Sequence, residues 1–191
     1  MSLPASDNFN RDNENPLAGN WTTVTGQNDL QLATNRVAGT VSIKSSAAYW
    51  NADAFNDDHW SQATISLKNP NGHDGPICRA QDDANTFYLF GVNSSIGYGR
   101  YYKCVAGTVT QIGSNAGAVA QSDVLKLQVV GDELTGSING VAQTAQTDTA
   151  IPSGGSAGLR EYSTDGRLDD WSGGNVATGN RRRRLLLGSC A

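Results

Sequence analysis

Apolar and polar positions alternate most cleanly over residues 125–147, LKLQVVGDELTGSINGVAQTAQT. Leu125, Leu127 and Val129 alternate with Lys126, Gln128 and Val130, the two-residue period of a half-buried strand. Gly131 and Asp132 then turn the chain, and Leu134, Gly136 and Ile138 alternate with Glu133, Thr135 and Ser137. Asn139 and Gly140 are the preferred pair for a type I′ hairpin turn, because both accept positive φ. A third strand returns from Val141, so the segment predicts an antiparallel meander.

The same period recurs upstream. In WSQATISLK, Ala63, Ile65 and Leu67 alternate with Gln62, Thr64, Ser66 and Lys68. ICRA, TFYLFGV, GRYYKCVAG and TVTQIG follow as short strands, with turns at QDDAN, at NSSIGY and at Ala106 and Gly107. NWTTVTG, LQLAT and VSIK precede them, each bounded by Gly or Asn, and SAGLREY and GRLDDWSGG close the series. Residues 49–59 read as a loop. This pattern predicts an all-β chain of short antiparallel strands in two sheets packed face to face; a closed barrel fits the period as well.

Composition narrows the function. A chain of 191 residues suits one domain, or a domain with an arm. Charged residues are 17% and glycines number 22, as short strands joined by tight turns require. A net charge of -4 argues against nucleic acid as the main partner. No apolar run approaches the roughly 18 residues of a membrane span. MSLPASDNFNRDNENPLAG lacks the basic and apolar regions of a secretory signal, so synthesis and folding in the cytoplasm are expected. Cys78 and Cys104 flank the TFYLFGV strand. Strands two apart lie roughly 9.5 Å from each other, beyond the roughly 7 Å limit for a disulfide, which predicts free buried thiols. Cys190 is expected to be exposed, and neither the cysteines nor His59 and His73 show zinc-site spacing.

Five phrases, DNFNRDNENPLAGNWT, GPICRAQDDANTFYLFGV, LKLQVVGDELTGSINGV, SGGSAGLREY and LDDWSGG, run in order over residues 7–174. Together they resemble the concanavalin A-like lectin/glucanase superfamily, the laminin-G-like jelly roll. The resemblance implies a two-sheet antiparallel jelly-roll sandwich whose first and last strands lie together, with residues 7–11 beside 168–171. It divides the chain into an N-terminal extension (1–6), the lectin-like sandwich (7–174) and a flexible linker with a C-terminal arm (175–191). The opening phrase and the Arg-rich tail are similar to those of phage and prophage virion proteins. That similarity implies a place on the virion surface, with capsid or tail subunits as partners.

Some members of the superfamily cleave polysaccharides. Glycoside hydrolysis needs two carboxyl groups facing one bond, about 5 to 9 Å apart. The family's hydrolase motif sets two Glu around an Asp, whereas Glu14, Glu133 and Glu161 each stand alone here. The lyase branch would need a Gln-x-His, and neither histidine has that context. No Gly-x-Ser-x-Gly elbow marks a nucleophile. No catalytic residue is therefore assigned.

Binding chemistry is better represented. Trp50, Trp60, Tyr98, Tyr101 and Tyr102 could stack a pyranose ring, with Arg79 and Tyr88 on neighbouring strands. The glycan site assigned is Trp50, Arg79, Tyr88, Tyr98 and Tyr102. The competing reading puts Trp21, Trp60, Phe87 and Phe90 in the core, and allows at most one of Tyr101 and Tyr102 there. Asp7 with Asp169 or Asp170 reads as a calcium site of hard oxygens where the terminal strands pair. The same acids, and the pairs Asp57 with Asp58 and Asp82 with Asp83, also read as turn formers and edge charges. Calcium is the only cofactor entertained.

The chain ends RRRRLLLGSCA after a flexible Gly/Asn segment. Arg181, Arg182, Arg183 and Arg184 suit an acidic partner surface, and Leu185, Leu186 and Leu187 an apolar groove; a frayed tail has no use for the leucines. The expected function is a non-catalytic virion decoration protein fixed by this arm, with symmetric self-association and an avidity-enhanced binding of cell-surface glycans as further expectations. The alternatives are a free carbohydrate-binding module or lectin, and a polysaccharide hydrolase or lyase with a degenerate motif.

Overall fold

The computed structural model describes residues 3–92 and 94–177. The arm residues Arg181 to Leu187 and Cys190 lie outside the described residues. Sixteen strands are found among those described. In chain order the first eight are β1 (Ala5–Asp7), β2 (Trp21–Thr23), β3 (Leu30–Leu32), β4 (Val37–Gly39), β5 (Ser45–Trp50), β6 (His59–Leu67), β7 (Gly75–Ala80) and β8 (Phe87–Gly91). They are followed by β9 (Arg100–Val105), β10 (Thr108–Ile112), β11 (Val124–Val130), β12 (Glu133–Ile138), β13 (Val141–Ala142), β14 (Gln146–Thr147), β15 (Ser156–Tyr162) and β16 (Arg167–Asn175).

Two antiparallel sheets result. The first runs β13-β12-β11-β6-β16-β4-β3, with β1 added to β16 and β14 to β12. The second runs β10-β9-β8-β7-β15-β5-β2. The predicted meander is present, with Leu125 opposite Ile138 and positive φ at both Asn139 and Gly140. Leu125, Leu127 and Val129 are fully buried, while the residues between them are half-buried, so the period-two reading chose the correct face. β1 pairs with β16 in the register Asp7↔Trp171, joining the chain's beginning to the end of its domain. The sheet takes in Ala5 and Ser6, which the sequence reading left in an extension.

Where the sheets meet, Trp21, Trp50 and Trp171 stack and edge against one another at centroid distances of 5.5, 4.8 and 5.1 Å. Each indole N–H has an acceptor: Asp7 Oδ2, Asp53 Oδ2 and Ser61 Oγ respectively. That satisfaction lets three large polar-tipped rings share a dry core.

The middle of the second sheet is buried on both faces, whereas its edge strand β10 is exposed. Every residue of β7 and β8 is buried. Their outward side chains join a separate apolar cluster of Val24, Ala47, Ile77, Ala80, Phe87, Leu89, Tyr102 and Cys104. Residues 24–28 leave the β2 edge and reach across to the β7–β8 turn. There Thr25 Oγ1 donates to Asp82 O, Gln27 Nε2 to Asn85 Oδ1, and Asn85 Nδ2 to Gly26 O.

Three local expectations change. VSIK is a turn, with Val41 40% and Ile43 57% exposed and a positive φ at Ile43 that breaks the extended chain. Tyr101 and Tyr102 point to opposite faces yet both are buried, because both faces of β9 are covered. Trp60 is half-buried rather than core, with Lys126 Nζ 4.2 Å from its ring centroid. Cys78 and Cys104 are free and buried, separated by β8.

Candidate functional site

Four of the five assigned sugar-binding residues face inward. Trp50 belongs to the tryptophan cluster and is 3% exposed. Tyr88 is fully buried; its hydroxyl donates to Asp148 and accepts from the Ile151 N–H. Tyr102 packs in the outer apolar cluster with its hydroxyl 2.7 Å from His73 Nε2. Arg79 is fully buried. None of these four offers a ring or fork that a sugar can reach. Tyr98, 45% exposed, is the one of the five that presents a ring to solvent.

Arg79 instead organises a loop cluster. It sits in a β-bulge, where Ile77 to Ala80 of β7 span only Gly158 to Ser156 of β15, and its φ is 52°. Its guanidinium donates to three backbone carbonyls, Asp57 O, Ile151 O and Gly131 O, at 3.2, 2.6 and 2.8 Å. One side chain thereby ties the β5–β6 loop, the β14–β15 loop and the β11–β12 turn together. Asp57 Oδ1 accepts from the Gly154 N–H and Asp58 Oδ1 from the Gly131 N–H, adding two more ties among the same loops. His59 lies alongside: its Nε2 accepts from the Arg79 N–H, so its Nδ1 carries the proton and donates to Asn56 O. Burial pushes the His59 pKa down to about 4.

Above this clamp opens a cleft of about 280 Å³ lined by Tyr49, Ala54, Phe55, Ala80, Asp82, Gly155 and Ser156. Tyr49 and Phe55 are half-buried, and Asp82 is exposed. Tyr49 projects from the outer face of β5, Phe55 from the loop held by Arg79, and Asp82 from the β7–β8 turn. Gly155, at φ 74°, runs so close over Arg79 that a Cβ there would strike the Arg79 carbonyl carbon, so the floor of the cleft demands glycine. The arrangement offers aromatic faces for a sugar's C–H surface and a carboxylate and a hydroxyl for its O–H groups. A few convergent polar groups on an apolar wall is the usual make-up of a small-ligand site.

A larger hollow of about 490 Å³ is lined by Ser6, Asp7, Asn8, Asp170, Trp171 and Ser172. It brings Asp7 and Asp170 together, as the calcium expectation required. Burial raises the Asp169 carboxyl above its usual range. Asp7, however, is already served on both oxygens: Oδ1 by Arg11 Nη1 and the Phe9 N–H, Oδ2 by Trp21 Nε1. Trp171 is 1% exposed and cannot stack a ligand. The hollow thus lacks both an available aromatic face and a free Asp7.

Sequence reasoning missed Tyr49, Phe55 and Asp82. The sequence reads 49–59 as a loop, whereas Tyr49 and Trp50 end β5 on its opposite faces, and the pattern Ala47-Ala48-Tyr49-Trp50 gives no sign of which face is inner. Asp82 was recognised as a turn residue, and it is one; its second setting, at the cleft's rim, arises only when the β2–β3 loop and residues 154–156 close around it.

No protein-family model matches the sequence, and no curated protein matches it. Solved structures do match in fold. The carbohydrate binding module CBM66 from Bacillus subtilis superposes with a TM-score of 0.63 at 19% identity, covering 81% of this chain and 93% of that one. The GH43 protein BlXynB from Bacillus licheniformis gives 0.61 at 12% identity, over 92% of this chain and 40% of that one. The exoplasmic/lumenal domain of VIP36, in its Ca2+/Man-bound form, gives 0.57 at 9% identity, over 86% of each chain. At such identities the likeness establishes the fold: this chain is a two-sheet antiparallel jelly-roll sandwich of the kind found in lectin and carbohydrate-binding domains.

Proposed function

We propose that this chain is a non-catalytic carbohydrate-binding domain that takes a glycan in the Tyr49–Phe55–Asp82–Ser156 cleft. The observation that carries the reading is the pairing of two reachable aromatic side chains with a carboxylate and a hydroxyl on a lectin-like sandwich. Weak, stacking-driven binding suits an open cleft of this size. Catalysis is left out of the proposal because the acids that converge, Asp74 and Glu161, are buried against each other rather than set astride a groove. The test is a polysaccharide panel read by affinity electrophoresis and calorimetry. At least one glycan is retarded, Tyr49→Ala weakens its binding about tenfold or more, and Asp82→Asn weakens it less. Absence of binding across the panel, or binding unchanged in Tyr49→Ala, overturns the cleft. A reducing-sugar assay on the same panel detects any turnover, which would overturn the non-catalytic part.

Attachment to a phage particle is a separate reading, supported by the similarity of the opening phrase and the Arg-rich tail to virion proteins and by the composition of residues 181–187. It predicts that deleting residues 180–191 abolishes incorporation into particles and leaves glycan binding intact. Incorporation unaffected by the deletion contradicts it.

A further inference from the structure

The outermost strand of a sheet leaves a row of backbone groups unpaired, and folded proteins shorten, charge, kink or cover such edges. Of the strands that end the two sheets, β13 has two residues, and β2 and β3 have three each. β3 is also covered, because Glu14 exchanges backbone hydrogen bonds with Leu32. β10 differs on every count. It runs for five residues, Thr108 to Gln111 are all exposed, and it pairs with β9 in unbroken register. It holds no proline and no charge. Residues 104–122 around it form the longest stretch of the sequence without a charged side chain. Val105 and Val109 of the same hairpin are 38% and 44% exposed.

The turn decides which backbone groups of β10 are free. Ala106 and Gly107, at φ 47° and 82°, form a two-residue connection between Val105 and Thr108. In such a hairpin the residues flanking the turn exchange both backbone bonds, and bonded and non-bonded pairs then alternate along the strands. Thr108, Thr110 and Ile112 therefore bond to β9, while the N–H and C=O of Val109 and Gln111 point away from the sheet. No hydrogen bond reaches these outward groups among the described residues. An antiparallel copy centred on Thr110 satisfies all of them at once, since Val109 of each copy exchanges both bonds with Gln111 of the other. Thr110 then meets its own counterpart as the close, non-bonded pair, a position where two threonines suit each other.

We propose that β10 is a self-association edge, pairing with β10 of a second copy so that the second sheets of two molecules run on into one another. With no charge on the edge, two copies of a chain of net charge -4 meet there without local repulsion. A foreign strand is recognised through side-chain pockets and charges beside the edge; what β10 displays is a register that fits itself. The two-fold pairing uses up the edge, so association stops at two. Five residues a side cover less than the roughly 1,200 Å² that stable complexes bury, so the dimer is weak and depends on concentration. Paired copies carry two glycan clefts, which raises avidity. That benefit rests on the function proposed above; the pairing itself does not.

Sedimentation velocity of the full chain, from about 10 µM to about 1 mM, tests this. Monomer is expected at the low end and dimer at the high end. Thr110→Lys sets two ammonium groups opposite each other at the centre of the pair and should raise the midpoint concentration about fivefold or more. Gln111→Pro removes a donor that faces away from β9, so the hairpin is kept and the midpoint rises about tenfold. Ile43→Lys adds the same charge at an exposed apolar side chain of the β4–β5 turn and should associate like the unaltered chain. Hydrogen exchange should show the Val109 and Gln111 amides slowing as the dimer forms. A chain that stays monomeric at the highest concentration overturns the proposal. So does a dimer whose midpoint is unmoved in both Thr110→Lys and Gln111→Pro; loss of such a dimer on deleting residues 180–191 would assign it to the C-terminal arm.

Discussion

Arg79 and His59 form the joint beneath the cleft, and each carries a prediction at the scale of single atoms. The Arg79 guanidinium serves three carbonyls from three loops. Truncating it leaves those acceptors unserved in a dry setting, so Arg79→Ala should cost about 3 kcal/mol or more in urea unfolding. Arg79→Lys should recover only part of this, because an ammonium lacks the planar fork. A loss under 1 kcal/mol for Arg79→Ala would contradict the clamp. His59 has a folded pKa depressed to about 4 by burial, against about 6.5 when unfolded. A depressed value means the imidazole favours the fold fully above pH 6.5 and withdraws that support as pH falls toward 4, a change of about 3 kcal/mol. Proton NMR of the His59 ring should give a titration midpoint near 4; a midpoint near 6.5 would show an imidazole open to water.

Among the elements, the β11–β12–β13 meander was the most legible, because one covered face imposes strict alternation and Asn139 with Gly140 names its own turn. Gly140 has φ 79° and no atom near where a Cβ would stand, so Gly140→Ala carries a purely backbone penalty. It should cost about 1 kcal/mol in chemical denaturation and leave ligand binding unchanged. β7 and β8 were found but their faces were not. When both sides of a strand are covered, as GPICRA and FYLFG are, the pattern no longer says which side chains reach solvent. Tyr88 and Tyr102 were misassigned for that reason. VSIK failed differently: its alternation is genuine, but the φ of Ile43 ends the extension, and the true strand starts at Ser45.

For the whole molecule, the sandwich and the meeting of its terminal strands followed from pattern and resemblance, whereas the cleft and the buried acid pair depend on contacts between distant segments. Glu161 looked solitary because its companion, Asp74, comes from another strand's approach. That pair reverses the histidine's sign. Its carboxyls are raised, so they favour the fold at low pH and oppose it as pH climbs above the ordinary carboxylate range. The protein should therefore lose thermal stability as pH rises toward neutrality, and Glu161→Gln should flatten that slope. A slope unchanged in Glu161→Gln would separate the pH dependence from this pair.

The cleft is tested most directly by mapping amide NMR shifts during titration with a glycan that the panel identifies. The largest changes should centre on Tyr49, Phe55, Asp82, Gly155 and Ser156. Changes centred instead on residues 6–8 and 170–172, or on Tyr98, would place the ligand elsewhere and contradict the assignment.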